Sequence, residues 1–268
     1  GLLPYYLSGA IETITDAWFE TMSGFTTTGA TILTDIESLS HGLLFWRSLT
    51  QWLGGLGIIV LAVAILPMFG LSGMQLYAAE VTGLTYEKLS PRIADTAKHL
   101  WLTYVLLTTA EIILLKLEGM GFFDAVCHSL STIATGGFST HDASIAYFES
   151  PVIEYTIAFF MLLSGINFGM LILFFRGKPM RLIHDEETHW YLSAAGISTL
   201  VLTIGLLLSG YGSFEPSFRH ALFTTIATMT STGFAVSDYM LWVPFLWVFV
   251  FFLMFTGASS GSTSGGIK

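Results

Sequence analysis

Five long apolar stretches constrain this chain more than any other feature of its sequence. Most of them approach or exceed the ~20 residues with which a helix crosses the hydrocarbon core of a bilayer. Only 11% of the residues are charged and the mean hydropathy is +0.70, which is outside the range of soluble globular domains. The sequence therefore predicts a multi-pass membrane protein. The predicted spans are Leu43–Phe69, Leu100–Leu117, Val152–Phe175, Trp190–Leu208 and Leu241–Thr256.

The basic residues predict the orientation of these spans, because lysine and arginine collect in cytoplasmic loops. Seven of the ten lie after the first span, after the third span and at the end of the chain. The other side carries most of the acids, and an acidic mouth raises the local concentration of cations. Any one of these charges is equally well explained as a solvated loop residue. The basic set is Lys88, Arg92, Lys98, Arg176, Lys178, Arg181 and Lys268.

A short motif occurs three times in register. The segment Thr15–Ala30 aligns without gaps with 123–138 at an offset of 108, and 123–138 aligns with 219–234 at a further offset of 96. Each copy has about a dozen moderately apolar residues followed by a cluster of Thr, Ser and Gly. The apolar part is too short to span a bilayer. We predict a re-entrant pore helix and a loop in each copy, since irregular backbone at membrane depth must line a water-filled path or be buried in protein.

The small residues of the three loops suit a cation filter. Backbone carbonyls can replace the water around a cation when the side chains are small, and a glycine at the fourth place permits backbone angles that other residues avoid. The carbonyls indicate a cation without specifying potassium. Asp16 and Asp124 are predicted as N-caps of the pore helices rather than as ion ligands. The filter residues are Thr26, Thr27, Thr28, Gly29, Ala134, Thr135, Gly136, Gly137, Thr230, Ser231, Thr232 and Gly233.

A second polar segment follows the last apolar stretch. That stretch has 16 residues, so a helix there should end inside the membrane. Gly57, Gly165 and Gly261 each lie 28 residues after their own filter glycine, which predicts a weak point shared by the three inner helices. We expect the segment to face the cavity beneath the filter as a gate. Its residues are Gly257, Ala258, Ser259, Ser260, Gly261, Ser262, Thr263, Ser264, Gly265 and Gly266.

Four stretches resemble the TrkH potassium-uptake proteins of bacteria, within the wider TrkH/KtrB/HKT superfamily. They begin at Met22, Gln51, Ala134 and Gly261, and read MSGFTTTGAT, QWLGGLGIIV, ATGGFSTHDAS and GSTSGGIK. The resemblance covers nearly the whole chain and implies four pore-loop units around one pore. It implies a homodimer in the bacterial cytoplasmic (inner) membrane, regulated by a ring of nucleotide-binding subunits of the TrkA type.

The resemblance also implies that the filter glycines select potassium. In plant relatives, serine at the first of these places accompanies sodium transport, so Gly29 favours potassium. The fourth unit and most of the first outer helix are missing, and we expect this chain to be a piece of a longer polypeptide. Potassium is then the substrate; no cofactor and no nucleic-acid partner is expected.

The predicted fold is an all-α membrane protein of repeated units around a central pore, each with an outer helix, a re-entrant pore helix, a filter loop and an inner helix. We place the first unit at 1–70, the second at 98–176 and the third at 190–268, with cytoplasmic loops at 71–97 and 177–189.

Two other functions remain open from the residues alone. An intramembrane serine protease is one, since Gly257 to Gly261 match the G-x-S-x-G motif of serine hydrolases, although no strand is predicted before it. An ion-coupled secondary transporter with broken helices is the other alternative, although such folds usually have inverted repeats and these repeats run parallel.

Overall fold

The computed structural model describes residues 1–57 and 93–268, and within them the protein is helical. The second half of the first apolar stretch and most of the 71–97 loop lie outside the described residues. Two short 3₁₀ turns cover Ser144–Phe148 and Tyr239–Leu241. The helices are α1 Leu3–Leu7, α2 Ile14–Phe25, α3 His41–Trp52, α4 Ile93–Leu117, α5 Phe122–Ile133, α6 Pro151–Ser164, α7 Phe168–Phe175, α8 Pro179–Ile183, α9 Glu186–Leu208, α10 Phe214–Met229 and α11 Pro244–Leu253.

These helices follow the predicted order of repeated units. The short helices α2, α5 and α10 are the pore helices, and each leads into one Thr/Ser/Gly loop. The inner helices α3, α6 and α11 come after the loops. The outer helices α4 and α9 precede the second and third pore helices. The all-α fold of repeated pore-loop units is therefore confirmed.

Within residues 1–57 and 93–268, two helices are long and apolar enough to cross a membrane by themselves. They are Lys98–Leu117, within α4, and α9. Both agree with the apolar stretches. The apolar stretch Val152–Phe175 is not one straight helix, because α6 and α7 meet at 103°. The break falls at Gly165, one of the three glycines at which the sequence predicted a weak point. Gly165 ends α6, and the side chain of Asn167 accepts a hydrogen bond from the Gly169 N–H to begin α7, so the chain turns between two separately terminated helices.

The other two inner helices are interrupted at corresponding places. After α3 the chain enters a π-helical turn at Leu53–Gly57, which is kinked at Gly55. In the third unit α11 has only 10 residues and ends at Leu253. The first two breaks include or adjoin Gly57 and Gly165, whereas α11 ends eight residues before Gly261. Within the described residues, each inner helix therefore ends or bends at or before its glycine of the shared register.

The helix caps differ from the prediction for the two aspartates. The N-cap of α2 is Thr13, whose hydroxyl accepts from the Asp16 N–H, and the N-cap of α5 is Gly121. Asp16 and Asp124 lie in the first turns instead. A carboxylate there favours the helix because the N-terminal end of the helix dipole is positive.

The core of the described part lies around the pore helices. The second pore helix is buried along most of its length, and the second inner helix packs against the third pore helix through Ile157, Met161, Phe223 and Ile226. In a lipid environment such contacts stabilise through close van der Waals packing rather than through removal of apolar surface from water. This packing fixes the second and third filter loops relative to each other.

Candidate functional site

The three filter loops share one unusual backbone conformation. The filter glycines Gly29, Gly137 and Gly233 have φ of 76°, 81° and 79°. Two residues earlier, Thr27, Thr135 and Ser231 also have positive φ, at 53°, 53° and 57°. A left-handed conformation costs a residue with a Cβ roughly 1–2 kcal/mol. Three repeats with the same pair of left-handed residues indicate a conformation that the surrounding structure imposes.

The left-handed residue at the second place was not foreseen from the sequence, since threonine and serine give no signal for it. Local hydrogen bonds accompany the conformation. The hydroxyls of Thr27 and Thr135 each donate to the carbonyl of the preceding residue, at 2.8 and 2.7 Å. The backbone N–H groups of Thr28 and Gly136 donate to Ser23 and Ser131 in the pore helices, so each loop turns back onto its own helix.

Each of the first two filter glycines lies against the neighbouring loop. A Cβ on Gly29 would overlap the carbonyl oxygen of Gly136, and a Cβ on Gly137 would overlap the carbonyl oxygen of Thr232. Within the described residues, nothing lies within 4 Å of a Cβ on Gly233. The loops therefore follow one another in chain order around a common centre, with each glycine facing the residue before the next filter glycine.

Backbone carbonyls and hydroxyls supply the polar groups of this centre. Such oxygens can replace the hydration shell of a monovalent cation. Among the described residues, no group of three or more His, Cys, Asp or Glu side chains could hold a metal ion. The twelve residues predicted for the filter lie on the three loops.

A buried ion pair lies behind the first two loops. Arg47 of α3 donates from Nε to the carboxylate of Glu20 in the first pore helix at 3.0 Å, and both side chains are almost fully buried. Nη1 of Arg47 also donates to the carbonyl of Ser139 at 3.1 Å, beyond the second filter glycine. Its guanidinium lies 4.2 Å above the ring of Phe138. The sequence analysis did not identify this role of Arg47.

Gln51 lies one helical turn after Arg47 on the same helix and is fully buried. Its Nε2 donates to the carbonyl of Gly136 at 2.7 Å, and its Oε1 accepts from the N–H of Phe138 at 3.0 Å. The first unit therefore holds the second filter loop on both sides of Gly137. Nothing in the local sequence around Gln51 predicts these contacts.

A buried histidine, His128, forms hydrogen bonds at the second pore helix. His128 is fully buried and hydrogen-bonds through Nδ1 to the Asp124 carbonyl at 2.8 Å. A carbonyl only accepts, so Nδ1 carries the proton and Nε2 accepts from the Ser139 hydroxyl at 3.0 Å. Ser139 Oγ also accepts from the His141 N–H. This arrangement ties the segment after the second filter loop to its pore helix, and His128 is a structural residue.

The predicted gating segment forms a closed loop directly beneath the filter. Its base is pinned where Thr256 and Ile267 pair as an isolated bridge, with the Gly257 N–H donating to the Ile267 carbonyl at 2.7 Å. Near its tip, the Thr263 carbonyl accepts from the hydroxyl of Thr135 at 2.9 Å. The Thr263 hydroxyl donates to the carbonyl of Ile133 at 3.0 Å. The loop is thus bonded to the second filter loop and to the end of the second pore helix.

Further contacts join this loop to the broken second inner helix. The Ser259 N–H donates to the Gly165 carbonyl at 2.9 Å, and the Phe168 N–H donates to the Gly261 carbonyl at 3.1 Å. The peptide groups freed by the bend of the second inner helix are therefore satisfied by the loop. The side chain of Asn167 lies against Gly261 while its Oδ1 caps its own helix.

Two charged side chains form hydrogen bonds with the loop 257–266. Glu187, in the first turn of α9, accepts from both the backbone N–H and the hydroxyl of Ser260. Nζ of Lys268 donates to the carbonyls of Ser259 and Ser264, at 3.2 and 2.6 Å, and to two nearby hydroxyls. All ten residues predicted for the gate lie in this one loop. No strand precedes this loop and no helix follows it among the described residues, so Ser259 does not lie in the strand-to-helix turn that the serine hydrolase motif requires.

The outer acids are partly engaged in local structure. Asp142, after the second filter loop, accepts from the N–H of Ile36, which lies after the first. Asp238 accepts from the N–H of Met240, two residues later. Both carboxylates thus hold backbone in addition to contributing negative charge at this mouth.

Comparison with known proteins places this geometry in a family. Residues 2–268 match the family model TrkH, described as a cation transport protein. The Trk system potassium uptake protein TrkH of Escherichia coli K12 is 46% identical over the whole chain, which covers 56% of that protein. The protein TrkG of the same strain is 42% identical over 96% of the chain, which corresponds to 53% of its own length.

A solved structure shares the fold. The crystal structure of the potassium transporter TrkH from Vibrio parahaemolyticus superimposes with a TM-score of 0.81 at 41% identity, covering 95% of this chain and 52% of that one. This chain thus spans about half the length of the curated relatives it matches. On the family match, the sequence identity and the shared fold, the chain belongs to the TrkH family of cation transport proteins.

Proposed function

We propose that the protein of which this chain is part carries potassium ions across the bacterial cytoplasmic membrane through the carbonyl-lined filter. The observation that carries the proposal is the contact between successive filter loops, where Gly29 abuts Gly136 and Gly137 abuts Thr232. Three re-entrant loops in the same conformation around one centre are what a conduction path needs, since irregular backbone at membrane depth is tolerated where it lines a cavity. The printed names of the relatives, potassium uptake proteins, support the choice of ion.

In this proposal the segment 257–266 is the gate. Its hydrogen bonds to Thr135, in the second filter loop, and to Ile133, at the end of the second pore helix, support this assignment. It is built from small residues with poor helix propensity, which can change conformation at low cost. Release of the loop from the filter would open the path.

The proposed assembly is a homodimer in the lipid bilayer, multi-pass in the inner membrane, with a cytoplasmic nucleotide-binding ring of the TrkA type acting on the gate. The proposed unit boundaries are 1–70, 98–176 and 190–268, with the connecting loops at 71–97 and 177–189 on the side of the ring. The protein acts in this proposal as a transporter and not as an enzyme. Resemblance to the family supports these points, and co-purification with and without the ring subunit tests them.

The experiment uses the full-length protein purified into liposomes that hold a potassium gradient. We expect rubidium and potassium uptake that greatly exceeds sodium uptake and is abolished by Gly137→Asp, which places a bulky charged side chain against Thr232. Uptake that requires a sodium or proton gradient and saturates at carrier rates would instead favour the ion-coupled alternative. Absence of potassium flux in a folded protein, with and without the ring subunit, would overturn the proposal.

A further inference from the structure

Gln51 bridges two backbone groups on opposite sides of the second filter glycine. Its amide donates to the Gly136 carbonyl and accepts from the Phe138 N–H. The peptide bond is planar and trans, so an N–H of Phe138 that points toward Gln51 requires the Gly137 carbonyl to point away from it. One buried side chain thus fixes two consecutive carbonyls of the filter, turning Gly136 toward α3 and Gly137 away from it.

The three units differ at the positions involved in this contact. At the third place of the loop, the first and third units have Thr28 and Thr232, whereas the second has Gly136. A Cβ on Gly136 would overlap the amide of Gln51. The glycine is therefore needed because Gln51 occupies the space of a side chain.

The inner helices also differ between the units at the position of Gln51. In the repeat register, the positions that correspond to Gln51 are Phe159 and Phe255. Both are more than half exposed, at 53% and 51%, whereas Gln51 is fully buried. Only the first of the described inner helices places an amide at a filter loop, so the support of the second filter loop is specific to the boundary between the first and second units.

Resting on the function proposed above, we propose that Gln51 is a positioning residue that determines cation specificity at the second filter loop. Its amide sets which carbonyl oxygens of Gly136 and Gly137 are available to a dehydrated cation. Selectivity in a carbonyl-lined filter depends on the number and orientation of these oxygens. The Arg47 bond to the Ser139 carbonyl holds the far end of the same segment, which leaves the amide to control the part next to Gly137.

The test is Gln51→Met in the full-length protein, since methionine keeps the length of the side chain and loses both hydrogen bonds. We expect the preference for potassium over sodium to fall about tenfold, which corresponds to the loss of roughly one net hydrogen bond. The maximal potassium flux per folded protein should stay within about threefold of the wild-type value. The matched control is Thr108→Val. It removes the hydrogen bond that Trp52, on the same helix as Gln51, donates to Thr108 of α4, and it touches no filter loop. The control should leave the ion preference unchanged.

A second readout does not require flux. Potassium bound in the filter should raise the apparent melting temperature of the wild-type protein more than sodium does. Gln51→Met should reduce this difference and Thr108→Val should not. Should Gln51→Met fail to accumulate, Gln51→Glu takes its place, because it retains the acceptor for Phe138 and loses the amide donor to Gly136.

A third measurement tests whether Gln51 and Gly136 act together on selectivity. Gly136→Ala should disturb selectivity strongly beside Gln51, and less in the Gln51→Ala background where the space is free. An unchanged ion preference in a folded Gln51 variant, or a loss of flux with the preference intact, would overturn the inference and leave the proposed function standing. Lack of potassium flux and of potassium-specific stabilisation in the wild-type protein would instead refute the proposed function.

Discussion

The carbonyl oxygen of Thr232 occupies the space that a Cβ on Gly137 would need. Gly137 also has a positive φ, so two independent constraints demand glycine at this position: the left-handed backbone and the closeness of the next loop. The same pair of constraints holds for Gly29 and the carbonyl of Gly136. A substitution at either glycine therefore changes the filter at the contact between two units.

We expect Gly29→Ser and Gly137→Ser to reduce the potassium-to-sodium permeability ratio of the full-length protein by about tenfold or more, because the neighbouring carbonyl must move and the backbone is strained by roughly 1–2 kcal/mol. The ratio is measured from reversal potentials or from competing ion uptake in liposomes. Gly9→Ala is the matched control, since Gly9 has a φ of 74° and a Cβ there meets nothing within 4 Å. If the ratio is unchanged at both filter glycines, the filter assignment is wrong.

Removal of one member of the buried pair Arg47 and Glu20 should destabilise the protein strongly. Arg47→Met leaves the Glu20 carboxylate buried without its cation, a loss of about 3–5 kcal/mol for such pairs. The double variant Arg47→Met with Glu20→Met should recover part of the loss, since neither charge then remains uncompensated. The apparent melting temperature in detergent is the measurement.

Arg219→Met is the comparison for the Arg47 and Glu20 pair. Arg219 bridges Glu154 and the more exposed Glu215 at the outer end of the third pore helix. We expect a smaller loss there, because the side chains of Arg219 and Glu154 are 12% and 7% exposed, against 1% and 0% for Arg47 and Glu20, so that water reaches part of the charge left behind. Equal losses for the two arginines, or a double variant no better than Arg47→Met alone, would contradict the assignment of the buried pair.

Deletion of 259–263 in the full-length protein should raise the basal potassium flux and weaken its dependence on nucleotide. The deletion removes Thr263, which bonds to Thr135 and Ile133, and Ser260, which bonds to Glu187. Flux into liposomes is measured with and without the regulatory ring and its nucleotides. Glu187→Gln is the milder variant, and it should raise basal flux less because the amide keeps one bond to Ser260.

The gate assignment fails if a correctly folded deletion keeps the flux and the nucleotide response of the wild-type protein. Deletion of residues from the 177–189 loop outside the α9 cap is a control for shortening a polar segment on the same side. It should leave basal flux unchanged.

Neutralisation of Asp142 and Asp238 together should weaken uptake at low ionic strength and have little effect at high salt. Asparagine at both positions keeps an oxygen that can accept from Ile36 and Met240, so the substitution removes charge and preserves the local hydrogen bonds. The Debye length shrinks from about 10 Å at 0.1 M to about 3 Å at 1 M, which screens an effect due to local cation concentration. Uptake is compared over this range of salt.

A loss of uptake that does not depend on salt would show that these carboxylates act on structure or bind the ion directly. Asp142→Ala, which also removes the acceptor for Ile36, separates these two cases. We expect it to add a salt-independent loss through the loop that it holds.

Much of the fold followed from patterns that are local in the sequence. Apolar length predicted α4 and α9, and the register of three loops predicted the order of pore helices and inner helices. The offset of 28 residues located the breaks near Gly57 and Gly165, whereas α11 ends eight residues before Gly261. Apolar runs and repeats of this kind can be read from the order of the residues without knowledge of the packing.

The sequence did not predict the size of the bend in the second inner helix, and it predicted two helix caps at the wrong residues. The sequence predicted a weak point at Gly165, and the structure shows a bend of 103° there, with the Gly165 carbonyl and the Phe168 N–H bonded to Ser259 and Gly261. The caps fell on Thr13 and Gly121 rather than on the two aspartates, since a carboxylate is favourable both at an N-cap and in the first turn.

The order of the residues is enough to predict a membrane protein that repeats a pore loop three times, with small residues and a glycine in each loop. The groups that hold those loops in place could be identified only from the packed structure. The bonds from Gln51 to the second loop join residues 85 and 87 positions apart, and the bond from Arg47 to Ser139 spans 92. Hydrogen bonds of this kind depend on the distance and angle between two separately folded units, and these are set by packing around the common centre rather than by any local pattern of residues.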